Sequence, residues 1–209
     1  MADSALAMIL YLTRKIGILE ELAKKDSNYW LGKELNLNMK RINNLNLGII
    51  GLGRIGSSIS LKFSAFSKNI SFYDPYIPNG YDKVHGIHRY KYLSDLLKNS
   101  DIVTINTPLN NETKGMVNKE FLNQMKKGSY LINLSRGPIV DNKELILEKL
   151  LSNHLEGYGT DVWTNEPPTK NDQLNIAWKE NQQNLKGRII VNPHTAYYSE
   201  ESLLESRSK

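Results

Sequence analysis

Apolar residues in this chain fall into short continuous runs that alternate with segments of helical spacing. Leu47 to Ile50 predicts a short buried strand. Ile59, Leu61, Phe63 and Phe66 predict a helix behind it, and Ile70 to Tyr73 a second strand. Further along, Leu93 to Asn99 reads as a helix, Asp101 to Asn106 as a buried strand, and Lys119 to Met125 as a helix. Ser129 to Leu134 then reads as a strand, Asn142 to Leu151 as a helix, and Gly157 to Val162 and Arg188 to Asn192 as strands. Glu200 to Ser206 begins a final helix. Ahead of the first strand, Leu6, Ile9, Leu10, Ile16, Leu19 and Leu22 predict one long helix over residues 2–24. The Lys- and Asn-rich stretch Lys25 to Asn46 reads as a connector that pins Trp30 onto the domain surface.

The breaks agree with this reading. Pro75, Pro78 and Gly80 interrupt the chain after the second strand, and Lys126-Lys127-Gly128 closes a helix with cations and a capping glycine. Trp163 to Lys186 is the longest irregular stretch, stiffened by Pro167-Pro168, and is too long for an ordinary α/β link. Strands alternating with helices through short links predict a parallel sheet covered on both faces. Ligands of such sheets gather beyond the carboxyl ends of the strands, where Thr107, Ser135, Arg136, Asp161 and His194 fall.

One of those strand ends carries a motif. Leu47 to Ile50 runs into Gly51, Gly53 and Gly56, and the next strand ends at Asp74. Strand, G-x-G-x-x-G, helix, strand and acid is the order a dinucleotide site needs. Gly51 allows the tight turn, Gly53 lets backbone approach a pyrophosphate, and Gly56 lets helix and strand pack closely. The pyrophosphate would sit on the N–H groups at the helix start. A carboxylate at Asp74 accepts from both ribose hydroxyls of NAD and repels the phosphate of NADP.

Composition narrows the picture slightly. The 209 residues are 40% hydrophobic, enough for one large domain, and no segment is long enough to cross a membrane. The chain has no Cys, which excludes disulfide and thiolate chemistry and suits a reducing cytoplasm. Met1 to Leu12 does not resemble a signal peptide. The net charge of +5 is spread over Lys pairs and single residues, which reads as solvated helix faces and not as a nucleic-acid surface.

The segments GIIGLGRIG, YDPYI, NTPLNNETKGMVN, LINLSRGPIVD, GTDVWTNEPP and NPHTAYYSEES occur in the order used by the D-isomer-specific 2-hydroxyacid dehydrogenases. ADSALAMILYLTRKI and Trp30 resemble the lead-in to that family's NAD-binding domain. The resemblance covers essentially the whole chain, and HTAYYSEES looks most like the branch holding the C-terminal binding protein corepressors and related dehydrogenases. It implies a Rossmann-type doubly wound parallel sheet as a single domain over residues 46–196. Residues 1–45 would form a crossing helix and connector, and 197–209 the start of a truncated C-terminal helix. It implies NAD as cofactor, a 2-hydroxy or 2-keto acid as substrate, and a homodimer joined through this domain by the long first helix.

By position, the resemblance gives Arg136 the substrate's carboxylate and carbonyl, His194 the general acid/base role, and Glu166 the carboxylate paired with that histidine. A guanidinium fork suits an α-keto acid. An imidazolium can supply a proton near neutral pH, and a nearby carboxylate favours that charged form. Arg54 and Ile55 would meet the pyrophosphate beside Gly51, Gly53 and Gly56, with Asp74 on the ribose. Thr107 and Pro108 would border the adenosine, and Ser135, Asp161 and Ala196 the nicotinamide, Asp161 accepting from its carboxamide. Tyr197 would stand near the substrate, hinting at an apolar or aromatic side chain on it. The family's substrate domain of about 100 residues is missing from the pattern, so the chain is expected to bind NAD with little turnover. The alternative reading is an NAD-sensing, dimerising interaction domain like the corepressors.

Overall fold

The computed structural model describes residues 1–25, 30, 37 and 39–202. Seven strands form one sheet: β1 (Leu47–Ile50), β2 (Ile70–Tyr73), β3 (His88–Arg89), β4 (Ile102–Ile105), β5 (Ser129–Asn133), β6 (Leu155–Thr160) and β7 (Ile189–Val191). Every pairing is parallel, in the order β3-β2-β1-β4-β5-β6-β7. The central strands β1, β4 and β5 are buried along their whole length, which is why they read as unbroken apolar runs. The order reverses between β1 and β4, so a crevice opens there at the carboxyl ends. This is the doubly wound α/β sheet predicted from the alternation.

Helices cover both faces. On one side α1 (Ala2–Thr13) and α3 (Arg54–Phe63) pack with Leu47, Ile49, Phe72 and Ile132. On the other, α5 (Leu93–Asn99), α6 (Lys119–Gln124), α7 (Lys143–Leu151) and α8 (Gln173–Lys179) bury Leu96, Phe121, Ile146 and Leu174 against Val103, Leu131 and Tyr158. The short α4 (Tyr81–His85) leads into β3 at the sheet edge.

The long first helix is two helices. α1 ends at Thr13, Lys15 adopts φ 52°, and α2 (Ile16–Lys25) begins after it. The break turns Lys15 inward, 5% exposed, onto Glu156 of β6. It also seats Gly17 on Gly187, where a Cβ would lie 3.0 Å from the Gly187 Cα. Met8, Ile9 and Leu12 of α1 are buried on the domain's own sheet, so this helix needs no partner to cover it.

Other expectations change too. Trp30 is 77% exposed and donates to the Ala23 carbonyl (3.2 Å), so it hangs on the end of α2 and is not pinned onto the sheet domain. Most of the connector before residue 39, and residues 203–206 of the final helix, lie outside the described residues; residues 200–202 are helical. On α3, Ile59 and Phe63 fill the core, while Leu61 faces solvent and Phe66 lies past the helix end. Gly128, with φ 76°, turns the chain three residues after Met125 has already ended α6. The stretch from Trp163 to Lys186 holds α8, whose N-terminus is capped by Asp172 accepting from Asn175 N–H (2.9 Å).

Candidate functional site

The register puts the strand ends at one level. Ile50 aligns with Tyr73 and Ile105, Ile105 with Asn133, Asn133 with Thr160, and Thr160 with Val191. Each predicted site residue lies within six positions after one of these ends, so the sheet itself gathers them.

At β1, Gly51 has φ 85°, a conformation costly for any side chain. A Cβ on Gly56 would meet the Gly51 carbonyl oxygen at 2.1 Å, so glycine lets α3 lie against the turn. Gly53 has nothing within 4 Å of its missing Cβ and faces the crevice. No side chain caps α3, so the N–H groups of its first turn, from Arg54 and Ile55 onward, are left for an outside acceptor. Asp74 ties the turn down, accepting from Leu52 N–H through one oxygen and Tyr76 N–H through the other, both at 2.9 Å. A carboxylate with two such bonds keeps lone pairs for further donors. Thr107 and Pro108 form the opposite wall of a groove of about 700 Å³ lined also by Gly51, Gly53 and Asp74. Arg89, which the sequence did not mark out, donates to the carbonyls of Asp74 (2.9 Å) and Ile77 (2.8 Å) and holds the loop that follows β2.

Beyond β5, Ser135 is buried and its hydroxyl donates to the Ile105 carbonyl (2.9 Å), fixing the turn. Arg136 is exposed; its Nη1 donates to the Ser135 carbonyl (2.7 Å), and the rest of the guanidinium fork remains available. Gly137 follows, and its missing Cβ would fall 2.1 Å from the carbonyl group of Trp163. That close approach brings the loop after β6 onto the Arg136 turn.

Glu166 and His194 meet, although 28 residues separate them: His194 Nδ1 lies 2.6 Å from Glu166 Oε2. Glu166 Oε1 accepts from Trp163 N–H (2.7 Å). Burial pushes this carboxyl up, but the Trp163 N–H, His194 and Arg136 together draw it below its ordinary 4.5. His194 itself adopts φ 54°, and Asp161 clamps the turn, accepting from Thr195 N–H (2.9 Å) and Ala196 N–H (3.0 Å). Burial raises the Asp161 carboxyl, offset in part by those N–H groups. Tyr197 stands edge-on to the His194 ring, with centroids 6.2 Å apart. Among the described residues there is no cluster of three metal-ligating side chains and no helix long and apolar enough to cross a membrane.

A glycine turn under an uncapped helix, with an acid on the next strand, is what a dinucleotide requires. The sequence signature of the D-isomer specific 2-hydroxyacid dehydrogenase, NAD binding domain, matches residues 6–196. The chain belongs to this family. Its NAD-binding domain is 37% identical over 158 residues to the D-3-phosphoglycerate dehydrogenase of Bacillus subtilis, covering 76% of this chain and 28% of that enzyme. Over 134 residues it is 42% identical to the formate dehydrogenase of Neurospora crassa, covering 63% of this chain and 35% of that one.

Among solved structures, the D-lactate dehydrogenase of Aquifex aeolicus, complexed with NAD and lactic acid, matches with a TM-score of 0.83 and 31% identity. The match covers 99% of this chain and 62% of that one. The D-isomer specific 2-hydroxyacid dehydrogenase of Lactobacillus delbrueckii ssp. bulgaricus, NAD-complexed, gives a TM-score of 0.80 and 28% identity over 97% and 61%. The chain thus spans roughly a third of the curated relatives' length and about three fifths of these solved ones. These relatives are dehydrogenases, which does not favour the corepressor-like alternative. The NAD-binding domain's own residues fit the cofactor: free first-turn donors for the pyrophosphate, an open Gly53, and Asp74 with lone pairs to spare.

Proposed function

We propose that this domain serves hydride transfer between NAD(H) and a D-2-hydroxy or 2-keto acid, with the reacting carbon held between Arg136 and His194. The observation that carries the reading is the pair His194–Glu166 (2.6 Å), formed beyond β7 and β6, the two strands that come after the Arg136-bearing β5 in the sheet order. NAD(H), when bound, supplies or takes up the hydride. The free edge of the Arg136 guanidinium binds the carboxylate and carbonyl oxygen of the acid. Glu166 holds the Nδ1 side of His194, which leaves Nε2 to give a proton to the new alkoxide or take one from the alcohol. Arg54, Ile55 and the three glycines take the pyrophosphate, Asp74 the ribose, Thr107 and Pro108 the adenosine side. Ser135, Asp161 and Ala196 border the nicotinamide, and Tyr197 the substrate's side chain.

Arg136 and His194 are exposed or half-exposed here, so the reacting centre is open to water. The 209-residue chain is therefore expected to bind NADH in calorimetry yet show little NADH-dependent reduction of 2-keto acids. Absence of NADH binding, or a robust rate, would refute this. Homodimerisation is part of the same reading. It rests on Ile16 of α2, an exposed apolar residue beside the half-buried Ile18 and Leu19, in place of α1. Light scattering should return twice the 23.9 kDa of one chain.

A further inference from the structure

The loop carrying Glu166 is held by residues that no site role accounts for. Trp163 is buried and its N–H donates to Glu166 Oε1 (2.7 Å), so the set of that one peptide decides how the carboxylate is rotated towards His194. The Trp163 indole Nε1–H donates to Asp172 Oδ2 (2.6 Å), while the other Asp172 oxygen caps α8 through Asn175 N–H (2.9 Å). On the ring face lies the ammonium of Lys143, 5.1 Å from the ring, also donating to Thr164 Oγ1 (2.8 Å). Gly137 closes the fourth side, against the Trp163 carbonyl.

Lys143 is the anomaly. The residue is 8% exposed, and among the described residues no carboxylate lies within 4.0 Å of its nitrogen. Burying an ammonium without an ion pair costs free energy. Burial lowers its proton affinity, and the more distant Asp172, Glu144 and Glu166 restore part of it. The direct contacts set against that cost are the indole face and the Thr164 hydroxyl, both on the chain that leads to Glu166.

We propose that Lys143, Asp172 and Trp163 form a clamp of positioning residues that fixes the Glu166 carboxylate on His194. None of the three is given a catalytic role; each acts through Glu166. This inference rests on the Glu166–His194 pairing described above. Asp172→Asn tests it gently: the amide oxygen still caps α8, but the amide N–H₂ now faces the indole N–H and cannot accept. Lys143→Met removes the cation at similar length, and Lys143→Arg restores it.

The readouts, in the 209-residue chain, are the carboxyl carbon of Glu166 followed by NMR against pH, and hydrogen exchange of the Trp163 amide. In Asp172→Asn and Lys143→Met, Glu166 should titrate at higher pH than in the parent. Exchange at Trp163 should quicken by about tenfold, the loss of roughly one hydrogen bond. Lys143→Arg should return both towards the parent, and NADH affinity should hold throughout. Unchanged Glu166 titration in Asp172→Asn and Lys143→Met overturns the clamp. His194→Ala separates the two ideas, since Glu166 must shift upward there if the pairing exists at all. A shift in His194→Ala with none in Asp172→Asn leaves the pairing standing and removes the clamp.

Discussion

Two of the three glycines after β1, Gly53 and Gly56, respond differently to one added methyl. In Gly53→Ala the new carbon meets no protein atom, so stability to urea should stay within about 0.5 kcal/mol. The methyl enters the groove where backbone must approach the pyrophosphate, and NADH affinity should fall by about tenfold or more in calorimetry. Gly56→Ala drives a carbon to 2.1 Å from the Gly51 carbonyl and should cost about 1–3 kcal/mol of stability. Equal effects of the two changes would show that the turn does not face the cofactor. Asp74 bears on cofactor choice: a partly buried carboxylate beside a phosphate is unfavourable, so calorimetry should show NAD binding well above NADP.

Acid exposes a different residue. The Glu166 carboxyl is lowered in the folded chain, so its ionised form contributes stability that is present above about pH 4.5 and lost as pH falls through the lowered native value. Thermal melts should therefore separate the parent from Glu166→Gln at pH 7, and the gap should close on acidification below 4.5. A constant gap would count against the ion pair with His194.

Elements were legible where burial imposes one pattern. β1, β4 and β5 are covered on both faces, so each reads as an apolar run whatever its neighbours do. β3 offered no such signal, because a two-residue edge strand of His88 and Arg89 buries little. α8 was hidden by its Asn, Gln and Lys content, with only Leu174 and Ala177 fully committed to the core besides Asn175. At the break between α1 and α2, Lys15 meets Glu156, 141 residues away, a contact that no local window contains. The candidate site divides the same way. Its glycines and Asp74 stand out by spacing, and Arg136, Glu166 and His194 by motif order. Trp163, Gly137 and Lys143 act through contacts made only after folding. α1 itself is a structural element of the sheet face: truncating Ile9→Ala should cost about 2–5 kcal/mol, read as a lowered urea midpoint. A loss below 1 kcal/mol would mean that α1 is dispensable to the domain.

At the scale of the molecule, six of the seven parallel strands finish level and make the sheet a reference plane. Residues directly after a strand end, such as Gly51, Asp74 and Asp161, stand lowest, and all three are assigned to the cofactor or to holding its turn. Arg136 is the third residue after Asn133, and His194 the third after Val191. A single residue inserted between Val191 and His194 would leave every strand pairing intact yet lift the imidazole by up to about 3.3 Å, out of step with Arg136. Such an edit should leave the urea midpoint near the parent's while parting His194 from Glu166, which makes loop length here a dial separate from stability.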